Sequence, residues 1–428
     1  MEQVDGIRLQ EFRQVKQEIR GSDQYLIVGI DVAKERHNAF FGTANGKTLH
    51  KGMIFDNTIE GFEKLLKLTE MLKVQHVLTK VIFGLEPTAN YHKPLGEHLI
   101  KCGHVVVLVS GAAVKHNRSL LDGRWDKHDT KDSANAADLI CQGKFLYYEY
   151  PDPKMQDLRN LLSIKKRLKK EEHGLRVRIR NQLLAQYFPE MDRHFGSAVS
   201  LAVVGHCLNP SMIAGMEFDE FSRSIVHGKM SLAQQKLLQT IWRLAPESIG
   251  CHVGEAVSFE GKLMVSKLHQ VRETIKEMEN KIEDLCMQFP EYPCLMSIPG
   301  FGPDVSSKVL GAIGNPFRFT SYKQVLKMAG FDLCAQRSGK TSNSVTPVIS
   351  KQGRADLRYA LYQAAFIASL HNKNFMTYFA DKLRGRQREK GIGTKMRVKL
   401  AAKLLVIAWT LMKKKELFDQ KYLNQEDV

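Results

Sequence analysis

The chain has 428 residues, with 63 Lys and Arg against 46 Asp and Glu, a formal charge of +17 and a pI near 9.4. That length holds two or three domains and a sizeable core, and the charge calls for a polyanionic partner, nucleic acid before an anionic membrane. No apolar run reaches the roughly 18 residues that span a bilayer, and the polar start MEQVDGIRLQEFRQVKQ lacks the apolar stretch of a secretory signal, so no membrane partner and a cytoplasmic, nucleoid-associated location are expected.

Residues 1–22 read as a polar lead-in or a frayed helix. Residues 25–32 (YLIVGIDV), 37–43 (HNAFFGT) and 48–54 (TLHKGMI) then read as three strands, with Asn45-Gly46 in the second turn. A helix is predicted over 58–73 behind the cap signal Asn57-Thr58. Strand VLTKVIFGLE follows, then a helix from about residue 91, strand HVVVLVS, and helices over 111–118 and 131–142. This order fits an α/β RNase H-like sheet, in which the first and fourth strands lie side by side.

Four acids gain meaning from that order. Asp31 lies near the middle of the first strand, Glu86 at the end of the fourth, and Asp129 and Asp132 stand three apart at the start of a helix. A carboxylate inside or at the end of an apolar strand costs several kcal/mol to desolvate unless something compensates, and a bound divalent cation does so. Asp129 and Asp132 alone are equally well read as helix-capping acids. As a set, the four acids are read as a two-metal phosphodiester clamp, and their oxygens select Mg²⁺ or Mn²⁺ over zinc. His92, His116 and His128 have no zinc spacing and are read as structural or DNA contacts. The seven cysteines, Cys102, Cys141, Cys207, Cys251, Cys286, Cys294 and Cys334, form no CxxC pair, which argues against a disulfide framework or zinc ribbon; most are expected to be small core residues.

The middle of the chain is helical. Residues 155–187 and 255–288 carry apolar positions at helical spacing and predict an antiparallel coiled coil or a dimerisation arm. The run Lys165-Lys166-Arg167-Leu168-Lys169-Lys170 reads as a solvated face or a phosphate-tracking stripe, and residues 190–250 carry no legible motif.

The third region opens with Ser297-Ile298-Pro299-Gly300-Phe301-Gly302-Pro303, which resembles a helix-hairpin-helix turn; Gly300 and Gly302 would leave backbone N–H groups facing a phosphate at a helix N-terminus. Ser338-Gly339-Lys340-Thr341 invites a phosphate-loop reading, but Cys334 stands where that loop needs its first glycine. ATP binding is not expected.

Taken together, GIDVAK with Asp31, LEPTANYH with Glu86, KHDTKDS with Asp129 and Asp132, and the downstream IPGFGP, MAGFD, Ser338-Gly339 and ISKQGRADLRYAL resemble the DEDD (RuvC-like) insertion-sequence transposases with a C-terminal serine transposase domain. The likeness covers about 25–145 and 290–412, with His128 and Ser133 as departures that leave the acids in register. It implies a RuvC-like RNase H-fold domain over 23–150, a coiled-coil or helical region over 151–290, a mainly α C-terminal transposase domain over 291–415 and a tail from 416. It also implies a Mg²⁺- or Mn²⁺-dependent recombinase that cuts and rejoins DNA, with Ser338 as nucleophile, element ends and target as DNA partners, a bridge RNA as guide, and dimers assembling into a tetramer. Arg337, Lys340, Lys351, Arg354 and Arg358 would supply positive charge to the phosphoryl transition state.

Two other classes stay open at this point. A structure-selective, metal-dependent endonuclease of the Holliday-junction resolvase kind would use the acids and no serine. A non-catalytic nucleic-acid scaffold would need neither.

Overall fold

The structure is a computed structural model and describes residues 2–122, 129–334 and 347–424. The chain divides into two compact units, 1–152 and 153–428.

Where the sequence offered a lead-in or a frayed helix, the N-terminal unit has helix α1 (Glu2–Glu18), with Leu9, Val15 and the following Ile19 buried. Arg8 and Lys16 anchor it by donating to the carbonyls of Tyr148 and Phe145 at 2.8 and 3.1 Å. Phe12, Val15 and Ile19 fall at helical spacing and pack in one core, a short period that the surrounding polar residues dilute in the sequence.

Strands β1 (Tyr25–Asp31), β2 (Arg36–Thr43) and β3 (Thr48–Asp56) form an antiparallel meander, with Gly46 at φ +83° in the turn between β2 and β3. Helix α2 (Ile59–Gln75) begins where Thr58 Oγ1 accepts from the Gly61 N–H at 3.2 Å. It leads to β4 (Lys80–Glu86), which lies parallel beside β1. Then come α3 (His92–Lys101), β5 (Val105–Leu108), α4 (Gly111–Asp122), α5 (Asp129–Cys141) and a short β6 (Leu146–Tyr147) that the sequence did not announce. The sheet order is β3-β2-β1-β4-β5-β6.

The central strand β1 is buried on both faces, which is why it reads as an unbroken apolar run. Leu26, Val28 and Ile30 pack with Phe62 and Leu65 of α2 and Leu95 and Leu99 of α3. Ile27 and Ile82 face the other way, toward Val15 of α1 and Ala136, Ala137 and Ile140 of α5.

In the second unit, α6 (Pro153–Arg178) continues through a π-helical turn (Ile179–Leu184) to Tyr187. Residues 190–250 are not a featureless insertion. They fold into helices including α7 (Ala198–His206), α8 (Phe218–Ile225) and α9 (Leu232–Leu244), whose Val204, Phe221, Leu238 and Ile241 share a core with Leu175, Ile179 and Leu268. Helix α10 (Glu255–Cys286) runs antiparallel to α6, as ion pairs Arg272–Glu172 and Lys165–Glu279, each at 3.0 Å, demonstrate. Its Leu268, Val271 and Ile275 are buried in the core that the insertion helices share. The two helices thus pair antiparallel and share a core with the helices of 190–250.

After a short helix (Tyr292–Met296) come α11 (Pro303–Ile313), α12 (Tyr322–Ala329), β7 (Leu333–Cys334), β8 (Val348–Ile349), α13 (Ala355–His371), α14 (Lys373–Leu383) and α15 (Ile392–Lys414). Strands β7 and β8 pair antiparallel. Of the cysteines, Cys207, Cys286 and Cys294 are buried while Cys102, Cys251 and Cys334 are exposed, so fewer serve the core than the sequence led one to expect. Among the described residues no helix is long and apolar enough to cross a membrane.

Candidate functional site

Asp31 and Glu86 are the last residues of β1 and β4, paired with each other in parallel register. Neighbouring strands lie about 4.8 Å apart, and alternation along each strand puts both carboxylates on the face of Ile27 and Ile82. Two residues before each acid stands a glycine, and Gly29 and Gly84 are also register partners. A Cβ on Gly29 would collide with the Ser133 carbonyl oxygen and the Ala137 backbone nitrogen; one on Gly84 would collide with Ile140 Cδ1. Helix α5 thus rests directly on a side-chain-free strip of the sheet beside the two acids. The sequence signal of this seat is the repeated Gly-x-acid pattern, GID at 29–31 and GLE at 84–86.

Asp132 lies on α5 next to Ser133 and is 3% exposed. Both its oxygens are engaged by Arg118 of α4, Nε donating to Oδ1 at 2.9 Å and Nη2 to Oδ2 at 2.8 Å. Beside this pair, Asn117 Nδ2 donates to Asn135 Oδ1 at 3.2 Å and to Asp138 Oδ2 at 2.7 Å, so α4 and α5 meet through polar groups. The backbone of Asp129 opens α5, while its side chain lies outside the described part of the structure. Glu86 reaches toward the start of α4, where a Cβ on Gly111 would stand 2.9 Å from Oε1.

The structure therefore joins Asp31 and Glu86 and places Asp132 in an ion pair. Among the described residues, which leave out the Asp129 side chain, no group of three or more His, Cys, Asp or Glu is placed to hold a metal ion. Arg118 supplies the counter-charge that the buried Asp132 carboxylate requires. The local donor chemistry still suits a hard cation. Asn38 of β2 is the register partner of Asp31 on its other side, and its buried Oδ1 has no hydrogen-bond partner among the described residues. Oxygen donors on three adjacent strands match the preference of Mg²⁺ or Mn²⁺.

The histidines of this unit behave structurally. Burial, and then the charge of Lys93, lower the pKa of His92, whose ring meets Tyr148 edge-on. His37 is buried, its pKa is lowered by that burial, and its Nδ1 accepts from the Ala33 N–H at 3.2 Å. His128 lies outside the described residues.

In the second unit, Gly300 has φ +87°, and a Cβ there would overlap the Ala364 carbonyl oxygen of α13. Its glycine character is explained by this close packing. Gly302 precedes α11 with open space around it, but the first turn of that helix carries Asp304, held by Lys165 at 2.8 Å and Lys308 at 2.6 Å. Lys165 is itself buried between Asp304 and Glu279, and Lys166 pairs with Asp356 at 3.6 Å, so the basic run of α6 is partly internal instead of one solvated stripe.

Arg337, Ser338 and Lys340 lie outside the described residues, in the segment that β7 and β8 bracket. Lys351 follows β8 with φ +56° and is exposed. Arg354 precedes α13, its N–H donating to the Met328 carbonyl at 3.1 Å, and Arg358 Nη1 donates to the Ala329 carbonyl at 2.8 Å. Arg358 thereby caps the C-terminus of α12, using one of its five donors for structure.

Comparison with known proteins covers both segments. Residues 28–189 match a model for DEDD transposases of the IS110 type, described as Transposase, and residues 292–380 match one described as Transposase IS116/IS110/IS902 family. The first match contains Asp31, Glu86, Asp129 and Asp132, and the second contains Ser338. The chain is also 22% identical over 399 residues to the insertion element IS110 uncharacterized 43.6 kDa protein of Streptomyces coelicolor, covering 91% of this chain and 95% of that one. With both domain matches in one chain, the protein is a DNA transposase/recombinase, similar over both segments to IS110-family transposases.

Proposed function

We propose that this transposase cuts and rejoins DNA strands at a divalent-metal centre founded on Asp31 and Glu86 and completed by Asp129 and Asp132, within an RNase H-like, RuvC-like domain. The observation that carries the reading is the in-register Asp31–Glu86 pair beside the strip of sheet on which α5 rests. Mg²⁺ or Mn²⁺ bound there would supply Lewis-acid stabilisation of phosphodiester oxygens. Asp31 and Glu86 would provide two donors from rigid strands, and Asp132 a third once Arg118 yields it.

Ser338 is proposed as the nucleophile. Its Oγ–P bond would form as the P–O3′ bond breaks, the hydroxyl proton passing through a general base to the departing 3′ oxygen, which leaves as a hydroxyl. The 5′ phosphate would remain on the serine until the reverse step. Arg337, Lys340, Lys351, Arg354 and Arg358 are proposed to stabilise the developing phosphoryl charge. Element ends and target DNA, a guiding bridge RNA, and dimers assembling into a tetramer complete the proposal. The rival reading, a resolvase-like endonuclease without a covalent serine intermediate, shares the acids and differs at Ser338.

Strand exchange by Asp31→Ala and Glu86→Ala tests the metal centre. Both variants should fold, since deleting one of two adjacent like charges relieves repulsion, yet exchange should be lost. Wild-type recombination by either variant, or full activity in excess chelator, overturns the metal centre.

A further inference from the structure

Across the end of the sheet, Asn38 of β2, Asp31 of β1 and Glu86 of β4 stand in one row of register partners. Residues directly opposite in neighbouring strands have Cα atoms about 4.5–5.5 Å apart, and side chains so paired share a face. The burial pattern fixes which face. His37, Ala39 and Phe41 of β2 turn to the α2 side, where Ala39 and Phe41 join the core with Phe62 and Leu65 and His37 stacks on Phe62. Phe40 packs on the α5 side, and Asn38, two residues before it, alternates to that side with Asp31.

An amide on this face has an ordinary structural use, which is to hydrogen-bond a neighbour. Yet Asn38 Oδ1 is buried and has no hydrogen-bond partner among the described residues. Leaving a buried acceptor unmatched costs about 1–3 kcal/mol. That cost is recovered if a cation takes the oxygen, since hard divalent ions accept Asn carbonyl oxygens alongside carboxylates.

We propose that Asn38 supplies a neutral oxygen ligand to the divalent cation held by Asp31 and Glu86. The inference rests on the metal centre proposed above and extends it to a third strand. The row then offers two charges and one neutral donor from rigid backbone, leaving Asp132 and Asp129 to approach from α5.

Mn²⁺ binding to the full chain, measured by calorimetry and by the loss of the free-ion paramagnetic resonance signal, tests both layers. Asn38→Leu should weaken Mn²⁺ binding about tenfold, a loss typical of a supporting ligand. Asn38→Asp should bind at least as tightly as wild type, because it keeps an oxygen and adds charge. A purely structural amide predicts unchanged affinity once its oxygen is removed, and Asn38→Ala, which adds no bulk, decides the matter if Asn38→Leu folds poorly. Unchanged affinity in a folded Asn38→Leu, or weakened affinity in Asn38→Asp, overturns the role of Asn38. Unchanged affinity in Asp31→Asn would instead overturn the metal centre itself.

Discussion

Arg118 and Asp132 form a two-pronged ion pair between α4 and α5, with Nε and Nη2 at 2.9 and 2.8 Å from the two carboxylate oxygens. Asp132 is 3% exposed, so water cannot replace the guanidinium. Removing one partner of a buried pair costs about 3–5 kcal/mol, and Arg118→Met should destabilise the N-terminal unit by that order. If Asp132 also serves the proposed metal centre, Mn²⁺ should raise the melting temperature of Arg118→Met more than that of wild type, because the cation takes over the missing charge. Equal shifts in the two proteins would mean that Asp132 is structural only.

Gly29 and Gly84 should differ in their tolerance of a methyl group. At Gly29 the obstacle is backbone of α5, the Ser133 carbonyl and the Ala137 nitrogen, which can yield only if the helix lifts. At Gly84 it is the far end of the Ile140 side chain, which can rotate. Overpacking typically costs about 1–3 kcal/mol. Gly29→Ala should lie at or above the top of that range and Gly84→Ala near the bottom, with Ile140→Val restoring Gly84→Ala in urea melts. Comparable losses that Ile140→Val leaves unrepaired would contradict this account of the α5 seat.

Much of the N-terminal unit was legible because its local signals agree with one another. Apolar runs of strand length, Asn45-Gly46 at a turn and Thr58 at a cap each point to the element that forms there, and the strand order alone brings Asp31 beside Glu86. What escaped depends on long-range contact. Asn38 gains interest only once β2 is in register with β1, and Arg118 and Asp132 are 14 positions apart on different helices. Lys165, inside a run of bases, looks solvated until α10 and α11 bring Glu279 and Asp304 to it. The helices of 190–250 are short and mostly bury their faces against α6 and α10, so no single segment carries a strong period.

The Lys165–Asp304 pair should make the stability of the second unit depend on pH. Burial works against the Asp304 carboxylate, but hydrogen bonds from Lys165 and Lys308 outweigh it and lower its pKa. Burial likewise works against the Lys165 ammonium, and bonds to Asp304 and Glu279 outweigh it and raise its pKa. A depressed carboxyl contributes stability above its unfolded value, about 3.9, and loses it as pH falls through the folded one. A raised ammonium contributes fully below its unfolded value, about 10.4, and loses it as pH rises through the folded one. Lys165→Met should therefore cost about 1–3 kcal/mol near neutral pH. The gap from wild type should narrow at both the acid and alkaline limits in denaturant titrations; a pH-independent gap would assign the loss to packing.

Ser338 separates a covalent recombinase from a metal-only nuclease. A serine hydroxyl is weakly nucleophilic at its ordinary pKa and needs an activating base or cationic field. Ser338→Ala removes one oxygen, so DNA and metal binding should persist while the covalent adduct and the recombinant product disappear, an effect on the chemical step alone. Ser338→Cys should retain at most a trace of activity, because a thiolate can attack but makes a different leaving group. Ser342 and Ser344 lie a few positions downstream in KTSNS, and their alanine variants should lose much less. With a nicked suicide substrate that traps the intermediate, mass spectrometry should find the DNA 5′ phosphate on the peptide containing Ser338. Cleavage that continues undiminished in Ser338→Ala, still dependent on Asp31 and Glu86 and without any adduct, would establish the resolvase-like chemistry in its place.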